Sequence, residues 1–112
     1  MQNMQPDIQS NQMAELTLHN DVRKAGLILR ALDHPLRQII VDHLAKNPNA
    51  TVTNLIERLQ QKQSIVSQHL AILRRAKIVY SFKKAKFVHY YVNAERINET
   101  QALVSKLLNG PQ

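Results

Sequence analysis

The sequence contains no cysteine. That absence excludes disulfides, thiol redox sensing and every thiolate metal site, and it fits a cytoplasmic protein. Glycine is almost missing as well: with two in 112 residues, the chain has no Gly-rich loop able to cradle a phosphate. No apolar run approaches the ~18 residues of a membrane span, so no membrane partner is expected. The first twelve residues, Met1 to Gln12, are polar and lack the apolar core of a secretory signal. We read residues 1–12 as a loose polar tail and residues 13–109 as one folded domain. No nucleophile–base constellation or pair of carboxylates in a plausible cleft is evident, so neither an enzyme nor a bound cofactor is expected.

The most informative absence is local. Between Arg58 and Ala94 there is no Asp or Glu, while the same stretch carries eight basic residues: Arg58, Lys62, Arg74, Arg75, Lys77, Lys83, Lys84 and Lys86. The rest of the chain has seven Lys or Arg against eight Asp or Glu, so the whole excess of the +7 net charge lies in one third of the sequence. A solvated, solubilising face would explain a basic surface. Complete loss of acids from it fits better with a polyanionic partner, a nucleic-acid backbone whose counterions are released on binding.

Hydrophobic periodicity supplies the elements. Leu18, Val22, Ala25, Leu29 and Leu32 recur at helical spacing and predict a long first helix from about Met13 to Leu32. Pro35, tolerated at a first helical position, opens a second helix that runs to about Lys46. Leu36, Ile39, Ile40, His43 and Leu44 lie near its core face, and Asn47-Pro48-Asn49 turns the chain. Thr53 is a plausible N-cap for a third helix over Asn54 to Leu59. After a polar turn, Gln60 to Lys62, a fourth helix runs from about Ser64 to Ala76, with Val66, Leu70 and Leu73 facing inward. The period then changes to strand alternation. Ile78 to Phe82 and Phe87 to Val92 form a β-hairpin around Lys83-Lys84-Ala85-Lys86. Glu95 to Leu108 reads as a final helix. The order ααααββα, mostly α with a small hairpin, is that of a winged helix-turn-helix.

Three stretches carry a resemblance. Ala31-Leu32-Asp33-His34-Pro35-Leu36-Arg37 resembles the start of the second helix in ArsR/SmtB-type repressors. Ser64 to Val79 is similar to their recognition helix and its exit, whose typical pattern is V-S-x-H-L-x-x-L-x-x-A-G-L-V. Lys86 to Asn93 resembles their returning wing strand. The resemblance spans about Leu29 to Leu108. It implies a dimeric transcriptional repressor that binds double-stranded DNA at a palindromic operator and pairs through its first and last helices. Leu18, Val22, Ala25, Leu29, Val104, Leu107 and Leu108 are the candidates for that interface.

Recognition helices read bases near their N-termini. Gln63, Ser64, Ile65, Ser67, Gln68 and His69 are the candidate DNA-contacting residues. Gln68 suits adenine and Ile65 a thymine methyl, while His69 serves equally well as an anchor of the helix. Lys83, Lys84 and Lys86 at the wing tip suit phosphates. The aromatic residues of the strands are assigned to core or wing packing rather than to base stacking.

The sequence departs from the family pattern in three places. Lys77 stands where glycine usually ends the recognition helix, which calls for another geometry or some strain. Lys84-Ala85 replaces the glycine of the wing turn, so a longer or mobile tip is expected. Lys62 replaces the usual serine before the recognition helix, leaving Ser64 to cap it. The Cys-x-Cys metal site of many relatives falls on Thr51 and Thr53, whose hydroxyls are poor ligands for soft metals. The final helix offers Glu95 and Glu99 but no histidine. The five histidines are scattered, and no metal site is assigned, although His43 with a partner across a dimer stays open. The inducer is unknown. The competing reading of the whole chain is a winged-helix interaction module that binds an acidic protein.

Overall fold

The computed structural model describes residues 5–109. Five helices and three strands follow in the order α1 (Gln5–Leu32), α2 (Pro35–Lys46), β1 (Ala50–Thr51), α3 (Val52–Leu59), α4 (Gln63–Arg75), β2 (Val79–Lys84), β3 (Phe87–Val92) and α5 (Ala94–Asn109). The fold is therefore the expected winged helix-turn-helix, with one short strand added.

Helix α1 starts at Gln5, eight residues before the expected Met13. The helix thus extends through residues 5–12, the stretch read as a tail; residues 1–4 lie outside the described residues. The reason is local: neither Gly nor Pro occurs between Asp7 and Ala25, and Pro6 falls in the first turn, where a missing N–H costs nothing. The stripe on α1 also divides. Ala25, Ile28 and Ala31 are buried, whereas Leu18, Val22 and Leu29 are about half exposed. Ala25, expected at a dimer interface, is consumed by packing within its own chain.

Helix α2 begins with Pro35, and its cap is His34, whose Nδ1 accepts the Leu36 N–H at 3.1 Å. For α3 the cap is Thr51, not Thr53. The Thr51 hydroxyl accepts the Asn54 N–H at 3.3 Å, and the Asn54 side-chain oxygen accepts the Thr51 N–H at 2.9 Å. The reciprocal pair satisfies two orphan donors of the helix start. The usual Glu or Gln at the third position is replaced here by Asn, which hides the motif in the sequence.

Strand β1 has no counterpart in the sequence pattern. Its two residues extend the hairpin into an antiparallel sheet of order β1-β3-β2, with Ala50 opposite Tyr90 and Thr51 opposite His89. Two residues are too few for any period to show. Asn49, in a left-handed conformation with φ 74°, turns the chain into the strand. Its side-chain oxygen accepts the Tyr91 hydroxyl at 2.9 Å.

All the layers meet in one core. Ile28 from α1, Ile40 and Leu44 from α2, Leu55 from α3, and Val66, Leu70 and Leu73 from α4 are buried together with Ile78, Val79 and Tyr90. The three inward positions of α4 fix which side of that helix is left for solvent.

Candidate nucleic-acid interface

Helix α4 follows α3 across a three-residue turn, Gln60 to Lys62, that Gln60 enters with φ 55°. It begins at Gln63, one residue earlier than expected. Ser64 is therefore inside the helix and not its cap. Lys62 holds the cap position and makes no side-chain hydrogen bond there. Its carbonyl accepts the Ile65 and Val66 amides, both at 3.1 Å. The cap position of α4 supplies no side-chain acceptor, and an anion at this N-terminus would be favourably placed.

With Val66, Leu70 and Leu73 buried, Gln63, Ser64, Ser67 and Gln68 are exposed and Ile65 is half-buried. These are the candidate base-reading side chains, and the fold leaves all but Ile65 open to solvent. His69 differs. Its ring lies against His34, with centroids 4.5 Å apart, and its Nδ1 sits 3.2 Å from Arg37 Nη1. Arg37 in turn donates through Nε to the Ala31 carbonyl at 2.5 Å and through Nη2 to the Arg30 carbonyl at 3.4 Å. Burial, then the neighbouring His34, then Arg37 hold the His69 imidazole below its ordinary value of 6.5. A neutral ring leaves Nδ1 free to accept from the guanidinium. Both contacts suit an anchoring role for His69. Arg37 was legible only as part of a family-like block; nothing in the spacing announced its contacts.

The helix ends in a Schellman motif. The Lys77 amide donates to Arg74 O at 2.9 Å and the Ile78 amide to Leu73 O at 3.0 Å. Lys77 adopts φ 60°, so the glycine geometry is kept without the glycine. A second arginine braces this end: Arg96 Nε on α5 donates to Ala76 O at 3.2 Å.

The wing turn is short, not longer as one of the two expectations had it. Lys84 pairs with Phe87, which leaves Ala85-Lys86 as a two-residue turn, and Ala85 takes φ 57°. Lys83, Lys84 and Lys86 are exposed at this end, and the Lys86 ammonium lies 5.6 Å from the centre of the Phe87 ring. Strand alternation sends Tyr90 and Val79 into the core and the other aromatics outward. On the outer face Tyr80 stacks on Tyr91 at 5.4 Å, Phe82 on Tyr91 at 5.1 Å and Phe82 on His89 at 5.7 Å. These rings pack the wing against itself rather than against the core.

Sequence and structure comparisons agree with this architecture. The profile of the bacterial regulatory protein, arsR family, matches residues 34–81, from the cap of α2 into β2. A helix-turn-helix-type transcriptional regulator from Methanocaldococcus jannaschii is 36% identical over 84 residues, covering 75% of this chain and 94% of that protein. The chain belongs to the ArsR family. The transcriptional repressor PagR of Bacillus anthracis is 33% identical over 82 residues, covering 73% of this chain and 78% of PagR. Its crystal structure superposes with a TM-score of 0.64, covering 76% of this chain and 98% of that one. HlyU from Vibrio cholerae, 35% identical in its structure, gives a TM-score of 0.64 over 73% of this chain and 89% of its own. Thr51, one of the two threonines considered at the start of α3, caps that helix, and Thr53 is exposed. Among the described residues no group of three or more His, Cys, Asp or Glu is placed to hold a metal ion, and no helix is long and apolar enough to cross a membrane.

Proposed function

We propose that this ArsR-family regulator binds double-stranded DNA sequence-specifically as a homodimer, at a palindromic operator, and represses transcription by occupying it. The observation that carries the reading is the stretch from Arg58 to Ala94, which holds eight cations and no acid and coincides with the helix-turn-helix and the wing. Phosphates attract that surface, and Gln63, Ser64, Ile65, Ser67 and Gln68 near the start of α4 read bases. Gln68 pairs through its amide with an adenine. The wing lysines Lys83, Lys84 and Lys86 hold flanking phosphates.

What the single chain leaves uncovered supports dimerisation. Leu18, Val22 and Leu29 on α1, and Leu107 and Leu108 on α5, are exposed apolar side chains. Leu29, Leu32, Ile97, Val104 and Leu108 line a groove of about 460 Å³ between the two helices. A two-fold dimer would bury this surface and set two recognition helices about 34–36 Å apart. The relatives include a repressor, PagR, and a transcriptional activator, HlyU. Repression is favoured here because an operator-bound dimer needs no further contact to block polymerase.

The test is selection of tight binders from a randomised duplex pool, followed by footprinting in the genome. The expected product is a palindrome with half-sites one helical turn apart and an affinity that falls steeply with salt. Gln68→Ala relaxes the preference at one position per half-site, by about 1–3 kcal/mol. No salt-sensitive duplex binding, with capture of an acidic protein from nuclease-treated extract instead, would replace this reading by the protein-interaction module.

A further inference from the structure

Two arginines hold the recognition helix. Arg96 takes its C-terminal end through the Ala76 carbonyl, and neither the guanidinium nor the carbonyl changes protonation state between about pH 8 and 5.5. Arg37 takes its middle through His69, 3.2 Å away, and this contact exists only while the imidazole is unprotonated, because only then does Nδ1 carry a lone pair. The two partners differ in freedom. Arg37 is tied to the Ala31 and Arg30 carbonyls at the end of α1. His34, the other ring against His69, is tied to the Leu36 amide as the cap of α2. Among the described residues His69 has no comparable second bond. Arg37 and His34 are the charged and titratable groups set against it, and among the described residues no carboxylate forms an ion pair with it. A proton on His69 would put two cations at hydrogen-bond distance with no acid to offset them. The partner free to yield is His69, and it yields with α4.

We infer that His69 is a positioning residue for DNA recognition: its neutral imidazole, seated on Arg37 and His34, sets α4 against the α1–α2 junction, and protonation of that imidazole releases the setting and weakens operator binding in acid. The inference rests on the DNA-binding reading above and deepens it, because it makes the recognition helix itself sensitive to protons in a chain without cysteine. The direction is opposite to the ordinary one. Histidines gaining charge in acid should strengthen attraction to phosphates, whereas breaking the Arg37–His69 bond weakens specific binding. The sign of the pH response therefore separates the two. The lowered imidazole pKa agrees with the geometry.

The first measurement needs no DNA and no variant. Nitrogen-resolved NMR of the full chain should find His69 as the Nε2–H tautomer at neutral pH, titrating below 6.5. A proton on Nδ1 at neutral pH overturns the inference. The second measurement is affinity for the duplex selected at about pH 8, followed down to about pH 5.5 at constant ionic strength. If only the neutral form fits, wild-type affinity falls by up to about tenfold per pH unit per protomer once below the titration midpoint. His69→Asn keeps an acceptor near the Nδ1 position that cannot titrate. It should bind within about threefold of wild type at pH 8 and lose the acid decline, while His69→Ala binds weakly throughout. The same acid decline in His69→Asn, or a wild-type affinity indifferent to pH, overturns the inference while leaving DNA binding standing. Failure of wild type to bind any duplex at pH 8 removes the DNA-binding reading instead, and the NMR result then stands alone. Circular dichroism of each variant separates loss of fold from loss of positioning.

Discussion

The Ile78 amide donates to the Leu73 carbonyl at 3.0 Å, and both side chains are fully buried. Between them the chain must pass through a left-handed residue, and that residue is Lys77, with φ 60°. A side chain at such a position costs roughly 1–2 kcal/mol, part of which glycine gives back through its larger unfolded-state entropy. Lys77→Gly should therefore raise stability by about 0.5–1 kcal/mol, read as a higher urea midpoint at unchanged slope. The Asn93 side-chain bond to the Lys77 carbonyl involves only backbone on the Lys77 side and survives the change. A lower midpoint would mean that the lysine stem packs better than its exposure suggests.

Lys83, Lys84 and Lys86 are all exposed, so replacing the three by Ala leaves the core alone. The expected result is weaker duplex binding with a shallower salt slope, by about one unit for each phosphate that is no longer engaged. Equal slopes for wild type and variant would show that the wing stays clear of the DNA.

Val22 and Leu29 test the partner surface, being about half exposed in the single chain. Val22→Glu with Leu29→Glu places two charges on the apolar face of α1 and should leave the monomer folded. Sedimentation should then show dimer for wild type and monomer for the variant. Operator affinity should fall because half-site binding loses its linkage. A wild-type chain that sediments as a monomer would count against the proposed dimer.

Glu99 joins three elements. Its carboxylate receives Lys24 of α1 at 2.5 Å and Arg96 of α5 at 2.9 Å, and Arg96 reaches the end of α4. The Lys24 hydrogen bond first, and Arg96 after it, hold the carboxyl below its ordinary 4.5. A carboxyl depressed in the folded state binds fewer protons there than in the unfolded chain. Its contribution is therefore complete above pH 4.5 and is lost as pH falls through the lower folded value. Glu99→Gln should flatten that part of the stability–pH curve, followed by urea midpoints at stepped pH. A curve of unchanged shape would show that solvent screens the pair.

Much of the fold is legible in the sequence because its periods are long. Helix α2 and the inward set Val66, Leu70 and Leu73 can be read from spacing alone, and the wing from its change of period. What the sequence hides depends on partners distant along the chain or on elements too short for a pattern. Strand β1 exists because Ala50 and Thr51 find Tyr90 and His89 some forty residues later. The α3 cap sits at Thr51 because Asn54 returns the bond, a pairing outside the usual Glu or Gln rule. The recognition positions are visible as those left over after the core is assigned. Arg37 is not, since a half-buried arginine in a helix shows no periodic signature until the helix it touches is in place.

The wing turn has a consequence of its own. A glycine-rich tip would sample many shapes in the free protein and surrender that freedom on docking. Ala85 and the rings of Tyr80, Phe82 and Tyr91 restrict those shapes beforehand. Ordering entropy of the tip backbone is therefore spent during folding, which would lower the cost of the proposed phosphate contacts.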